Sequence, residues 1–229
     1  MNNTKIIVNK ILKDGYYLAD LYSPSQTEQL LKYALEYDLT PHKIERNFNH
    51  PAYKLAVTQE VKDLLFAISK EKARRFPYLA KHPELICEEN ISISFPKKGP
   101  SFGNAKISKA AFHYDHSFVN LVLPLQLPKG GKTSGLFAYV NLKNKLGMGV
   151  FAKIISRLLG RLGFLRFLFR PRYLKYTEGI ANLFFGDITL HGVGNCFDGN
   201  RVSLTINLEQ ISYEKYKSKS TLHKYLREY

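Results

Sequence analysis

Acidic residues are absent from one long stretch of this chain: no aspartate or glutamate stands between Asp115 and Glu178. The same interval holds Lys129, Lys132, Lys143, Lys145, Lys153, Arg157, Arg161, Arg166, Arg170, Arg172 and Lys175. The whole chain has 34 Lys and Arg against 19 Asp and Glu, a formal net charge of +15, so this interval supplies most of the excess. Such asymmetry points to an anionic partner: a phosphorylated or carboxylated substrate, nucleic acid, or an anionic membrane surface. Cysteine is also scarce. Cys87 and Cys196 are too few for a disulfide framework, and the polar start MNNTKIIVNK does not resemble a signal peptide, so a reducing cytoplasm is the expected location. No apolar run reaches the roughly 18–20 residues of a membrane span. Hydrophobic residues at 45% and charged residues at 23% exclude a disordered chain. With 229 residues, no internal repeat and no low-complexity linker, a single domain is expected over 1–229.

What is present divides that domain in two. Residues 1–85 read as a helical flank. Asp14-Gly15 is a turn signal, YYLADLY leans toward strand, and Ser23-Pro24 places an N-cap before a proline at the first helical position. Leu30, Leu31, Ala34 and Leu35 then recur at helical spacing and predict a helix over 24–37. Val61, Leu64, Leu65 and Ile68 predict a second over 58–75. From residue 86 the period changes: ISISF alternates, and the segments AFHYDHSFVNLVLPLQL, GLFAYVNL, GIANLFF, DITLHGV and RVSLTINLEQI read as strands. Helices followed by strands predict a mainly β, α+β domain with an insert at 145–175. In that insert Lys153, Arg157 and Arg161 lie four apart, opposite Ile154, Ile155, Leu158, Leu159 and Leu162, the pattern of a basic amphipathic helix that Gly160 and Gly163 weaken and Pro171 stops.

The chemistry concentrates in two strand-like runs. In an extended strand alternate side chains share a face, so His113 and Asp115 are expected to project together while His116 points away. His191, preceded by Gly186-Asp187, follows on a later strand. Two histidines and one carboxylate form the facial triad of mononuclear non-haem Fe(II) sites, which leaves coordination positions open for substrates and O₂. Ten residues on, Arg201, Ser203, Thr205 and Asn207 alternate with Val202, Leu204, Ile206 and Leu208. A guanidinium bordered by apolar residues is costly to bury unpaired, and its planar fork suits a carboxylate. A bound dicarboxylate answers that need; a salt bridge to Asp187 or Asp198 is the plain structural alternative.

Taken together, His113-x-Asp115, His191 and Arg201-x-Ser203 resemble the Fe(II)- and 2-oxoglutarate-dependent dioxygenases. The opening ILKDGYYLADLYSPSQTEQLL resembles their phytanoyl-CoA dioxygenase-like branch. The resemblance implies a double-stranded β-helix, a jelly-roll core with N-terminal helices. It implies iron held by His113, Asp115 and His191, and 2-oxoglutarate chelating that iron while Arg201 and Ser203 bind its far carboxylate. Oxidative decarboxylation with O₂ then yields succinate and CO₂ and drives hydroxylation of an unactivated C–H bond. Asp115 argues against halogenation, since related halogenases lack that carboxylate. Further cosubstrate contacts are expected from Asn90, Ser92 or Ser94. The basic insert has no counterpart in the family.

Other features take simpler readings. His42, His50, His82 and His223 lack partner spacing and read as surface or satisfied histidines, and Cys196 as a small apolar filler. The insert reads as a lid with a solvated basic face, as a lid that recognises an anionic or lipid-linked small-molecule substrate, or as a peripheral contact with anionic membrane. Nucleic acid is disfavoured because no known nucleic-acid module is visible. The competing function from another class is a catalytically silent jelly-roll module docking on anionic membrane or nucleic acid through the insert.

Overall fold

The computed structural model describes residues 2–36, 48–75, 88–98, 112–115, 117–128, 135–140, 142, 154–155, 158–159, 162, 169–193 and 200–209. The flank contains α1 (Asn2–Asp14), the short strand β1 (Tyr17–Ala19), α2 (Pro24–Glu36), α3 (Pro51–Ala56) and α4 (Gln59–Arg75). α2 and α4 lie within a residue of the predicted helices, because proline and serine set the start of one and a four-three apolar spacing holds the other. α1 and α3 were not anticipated. α1 buries Ile7, Val8 and Ile11 and packs on α4, so tertiary contact stabilises a helix whose apolar stripe is short. It ends at Gly15, whose φ of 92° is the left-handed cap and whose amide donates to the Ile11 carbonyl at 2.9 Å. His50 caps α3, its Nδ1 accepting the Ala52 amide at 3.1 Å, which bears out the plain reading of that histidine.

Two antiparallel sheets follow. The first runs β1–β7–β4–β9–β2, with β2 at Ile91–Ser94, β4 at Ser117–Gln126, β7 at Ala181–Phe184 and β9 at Arg201–Glu209; β3 (Lys97–Lys98) also pairs with β9. The second runs β6–β5–β8, formed by Arg172–Lys175, Gly135–Tyr139 and Leu190–Val193. Strand parity divides the first sheet cleanly. Val119, Leu121 and Leu123 of β4, Leu183 of β7, and Val202, Leu204, Ile206 and Leu208 of β9 join the helices in the main core. Val122 and Phe184 turn the other way, packing with Leu136, Ala138, Leu174 and Tyr176 of the second sheet and its edge. The result is a mainly β sandwich flanked by helices, consistent with a jelly roll.

One expectation needs correction. The predicted strand through AFHYDHSFVNLVLPLQL is not continuous: His113 forms an isolated bridge with His191 beside the second sheet, and only from Ser117 does the chain enter the first. The crossing between sheets occurs within the segment taken for one strand, since both halves carry the same alternating apolar pattern. A strand not expected from the sequence follows Pro171: Arg172–Lys175 is β6, paired with β5 from Gly135↔Lys175 to Ala138↔Arg172. Leu159 is buried while Ile154, Leu158 and Leu162 are exposed, and the Leu162 amide donates to the Leu158 carbonyl at 2.8 Å in a helical turn. The basic residues Lys153, Arg157 and Arg161 lie outside the described residues, as do His42, His82, His116, Cys87, Cys196, Asp198 and His223.

Candidate metal centre

His113, Asp115 and His191 come together between the sheets. His113 and His191 exchange backbone hydrogen bonds, amide to carbonyl, at 2.8 and 2.9 Å. This ladder rung sets the two rings 4.6 Å apart, centroid to centroid. Asp115 is held by its own amide, which donates to the Gly186 carbonyl at 3.1 Å. Its Oδ1 lies 3.2 Å from His113 Nε2 and its Oδ2 3.2 Å from His191 Nε2. One ligand atom from each of the three residues lies within 4.8 Å of the other two. Ligand bonds of about 2.1 Å at right angles separate donor atoms by about 3 Å, so the spacing suits three adjacent positions of an octahedral ion. Asp115 lies outside the strands, and the bond from its amide to the Gly186 carbonyl sets its side chain beside that of His113.

The surroundings orient these donors. His191 is almost fully buried, and its Nδ1 lies 2.9 Å from the Thr189 carbonyl. With the proton on that nitrogen, the lone pair of Nε2 faces the cluster, the arrangement common to metal-binding histidines. Phe184 meets the imidazole edge-on at 5.0 Å. Asn120 donates through Nδ2 both to Asp115 Oδ2 and, at 3.1 Å, to Asn207 Oδ1. Gly186 leaves no room for a side chain: a Cβ there would meet Asn120 Oδ1, and Asp115 Cβ and Oδ2 at 2.8 and 2.9 Å. Burial pushes the Asp115 carboxyl up, but hydrogen bonds from His113 and His191 and the charge they carry when protonated outweigh it and hold it well below the usual carboxylate range.

The cluster opens into a cavity of about 190 Å³ whose lining includes Arg201, Ser203, Thr205 and Asn207 from one face of β9. Arg201 is 3% exposed. Its Nε and Nη1, and the Ser203 hydroxyl, have no hydrogen-bond partner among the described residues. The Arg201 guanidinium carbon stands 6.0 Å from the centroid of Tyr176, whose phenol burial pushes up to about 12 despite the nearby cation. Asp187 does not pair with Arg201; it pairs with Lys72 at 2.5 Å. Asn90, Ser92 and Ser94 do not line the cavity, because β2 is the edge strand beyond β9. Asn120, Tyr176, Thr189 and Lys72 were missed by sequence reading. Only Lys72 left a signal, as a lysine continuing the apolar stripe Val61, Leu65, Ile68.

The two-sheet core holds a His-Asp-His cluster between its sheets. No family model matches the chain, and no curated protein sequence matches it. Among solved structures it is similar to a prolyl-4-hydroxylase from Pseudomonas putida, at 13% identity and a TM-score of 0.53, over 91% of this chain and 95% of that one. It is similar also to AviO1 from Streptomyces viridochromogenes, at 12% and 0.53, over 91% and 96%. A third is SnoN, a non-haem α-ketoglutarate-dependent epimerase of nogalamycin biosynthesis, at 11% and 0.55, over 90% and 80%. These likenesses show the fold: the chain is built on a scaffold that serves a hydroxylase and an epimerase alike.

Proposed function

We propose that this protein is an Fe(II)- and 2-oxoglutarate-dependent oxygenase, with a double-stranded β-helix core, that hydroxylates an unactivated C–H bond of a small, anionic or lipid-linked substrate. The observation that carries the reading is the buried Arg201, whose Nε and Nη1, like the Ser203 hydroxyl, have no partner among the described residues and line the cavity that holds the His-Asp-His cluster. Two orphaned N–H donors and a hydroxyl on one strand face are costly unless an anion meets them. Arg201 and Ser203 would hold one end of a dicarboxylate in the cavity that the metal donors also line.

His113, Asp115 and His191 would hold the iron, which when bound supplies O₂ activation coupled to decarboxylation of 2-oxoglutarate to succinate and CO₂. The remaining work belongs to the chain. Asn120 fixes the Asp115 carboxylate, and Thr189 fixes the His191 ring. Val122, Leu136 and Phe184 line the cavity and limit water beside the reacting centre. His113, with its side chain 54% exposed, marks the open side by which a primary substrate approaches. A phytanoyl-CoA dioxygenase-like branch is the finer part of the proposal, supported by the order Gly15, β1, α2 that the opening segment suggested.

Fe(II)-dependent conversion of 2-oxoglutarate to succinate, measured with and without a metabolite or lipid extract, tests the reading. His191→Ala is expected to abolish it. Wild-type protein that binds neither Fe(II) nor 2-oxoglutarate would sink the proposal. A second reading, peripheral contact with anionic membrane, draws on exposed Ile154, Leu158 and Leu162, spaced four apart in the acid-free interval. Salt-sensitive sedimentation with phosphatidylserine vesicles, lost in Leu158→Asp, is its expected result; equal sedimentation of both proteins refutes it.

A further inference from the structure

We propose that Lys72 is a positioning residue for the metal donors, although it belongs to α4 in the helical flank; the inference rests on the metal reading above. Lys72 is 0% exposed. Its Nζ donates to Asp187 Oδ1 at 2.5 Å and to the Phe118 carbonyl at 2.7 Å. The ammonium stands 3.9 Å from the Phe118 ring centroid and 4.4 Å from that of Phe185, within cation–π range of both. One cation therefore ties three segments: α4, the start of β4, and the turn that follows β7.

Those segments carry the parts that aim the donors. Asp187 lies in the Phe185–Thr189 turn, which the Thr189 amide closes onto the Phe185 carbonyl at 3.1 Å. Within it, the Gly186 carbonyl receives the Asp115 amide and the Thr189 carbonyl faces His191 Nδ1. Phe118 stands three residues after Asp115 and two before Asn120, which holds the Asp115 carboxylate. Both backbone routes to the cluster thus pass an anchor on the same ammonium.

Packing alone does not call for this residue. Val61, Leu65 and Ile68 form the buried stripe of α4, and a methionine at the next position would complete it without desolvating a charge. What the ammonium adds is direction: it accepts neither a rotated turn nor a shifted β4 without losing a charged hydrogen bond in a dry site. Losing it removes the charged anchor that Lys72 gives Asp187, and with it one restraint on the turn that carries Gly186 and Thr189.

The test is Co(II) titration of the metal-free full-length protein, followed by calorimetry and by the visible ligand-field band, well below the unfolding midpoint of every variant. Lys72→Met, one step removed from the groups that bond the ligands, is expected to weaken Co(II) binding by about the 10–100-fold that loss of such a group causes, nearer the lower end, and to alter the band. Leu30→Ala, a core truncation in α2, is expected to lower stability while binding Co(II) as wild type does. If Lys72→Met binds within about twofold of wild type with an unchanged band, against that 10–100-fold expectation, the residue is only structural and the proposal is overturned. Should Lys72→Met not fold, Asp187→Asn read in the same way decides. Wild-type protein that fails to bind Co(II) overturns the metal reading and this inference together. Wild-type binding that Lys72→Met leaves untouched overturns this inference alone.

Discussion

Replacing Arg201 by methionine should move stability and cosubstrate binding in opposite directions. In the free protein the side chain is 3% exposed, and two of its N–H groups, with the Ser203 hydroxyl, lack partners among the described residues. An unsatisfied buried donor costs about 1–3 kcal/mol, part of which water in the cavity offsets. Methionine fills a similar volume without donors, so a net gain of about 1–3 kcal/mol is expected, a rise of roughly 2–10 °C in the unfolding midpoint for a domain of this size. In the complex the same two donors would grip the far carboxylate of 2-oxoglutarate through charged hydrogen bonds of about 1.5–3 kcal/mol each. Their loss removes about 3–6 kcal/mol, roughly 10²–10⁴ in affinity. Arg201→Lys keeps the charge but not the fork, and should fall between. Thermal unfolding of the metal-free protein gives the first quantity; anaerobic calorimetry of 2-oxoglutarate with the Mn(II)-loaded protein gives the second. A midpoint that falls by several degrees would show that Arg201 is bound structurally, and unchanged affinity would show that the anion site lies elsewhere. Either result refutes the reasoning.

Further outcomes follow from other contacts. Gly186→Ala drives a methyl into Asn120 and Asp115, and should weaken Co(II) binding about 10–100-fold in the same titration; wild-type affinity would mean that this wall yields freely. Leu204→Ala empties a fully buried site on the core face of β9 and should cost about 2–5 kcal/mol in denaturant unfolding, with 2-oxoglutarate affinity little changed. The Tyr176 phenol, raised from 10.0 to about 12 by burial, stays protonated in the folded protein while the unfolded chain ionises. Its contribution is therefore complete below pH 10 and declines as the pH rises toward 12. Tyr176→Phe should flatten that alkaline loss of stability, and an unchanged slope from midpoints measured across this range would count against it.

How much of this was legible in the chain varies by element. The helices over 24–37 and 58–75 could be read because caps and an apolar spacing of three and four are local properties, and both formed within a residue of expectation. The alternation in Arg201–Glu209 was equally local: it placed Val202, Leu204, Ile206 and Leu208 against the helices and Arg201 and Ser203 into the cavity. The break between His113 and Ser117 was not legible, because leaving one sheet for the other does not disturb an alternating pattern. Neither was β6, because Arg172–Lys175 is half basic and carries no apolar alternation, and it becomes a strand only where β5 offers it a hydrogen-bonding edge.

The candidate residues His113, Asp115, His191, Arg201 and Ser203 could be picked from the sequence itself, because residue type and spacing are local properties. Only the tertiary structure decided that the five share one cavity, that Asp187 pairs with Lys72, and that Arg201 Nε and Nη1 have no hydrogen-bond partner among the described residues. Pairing of charges depends on which strands and helices close over each other, and that choice is made by burial of the whole core.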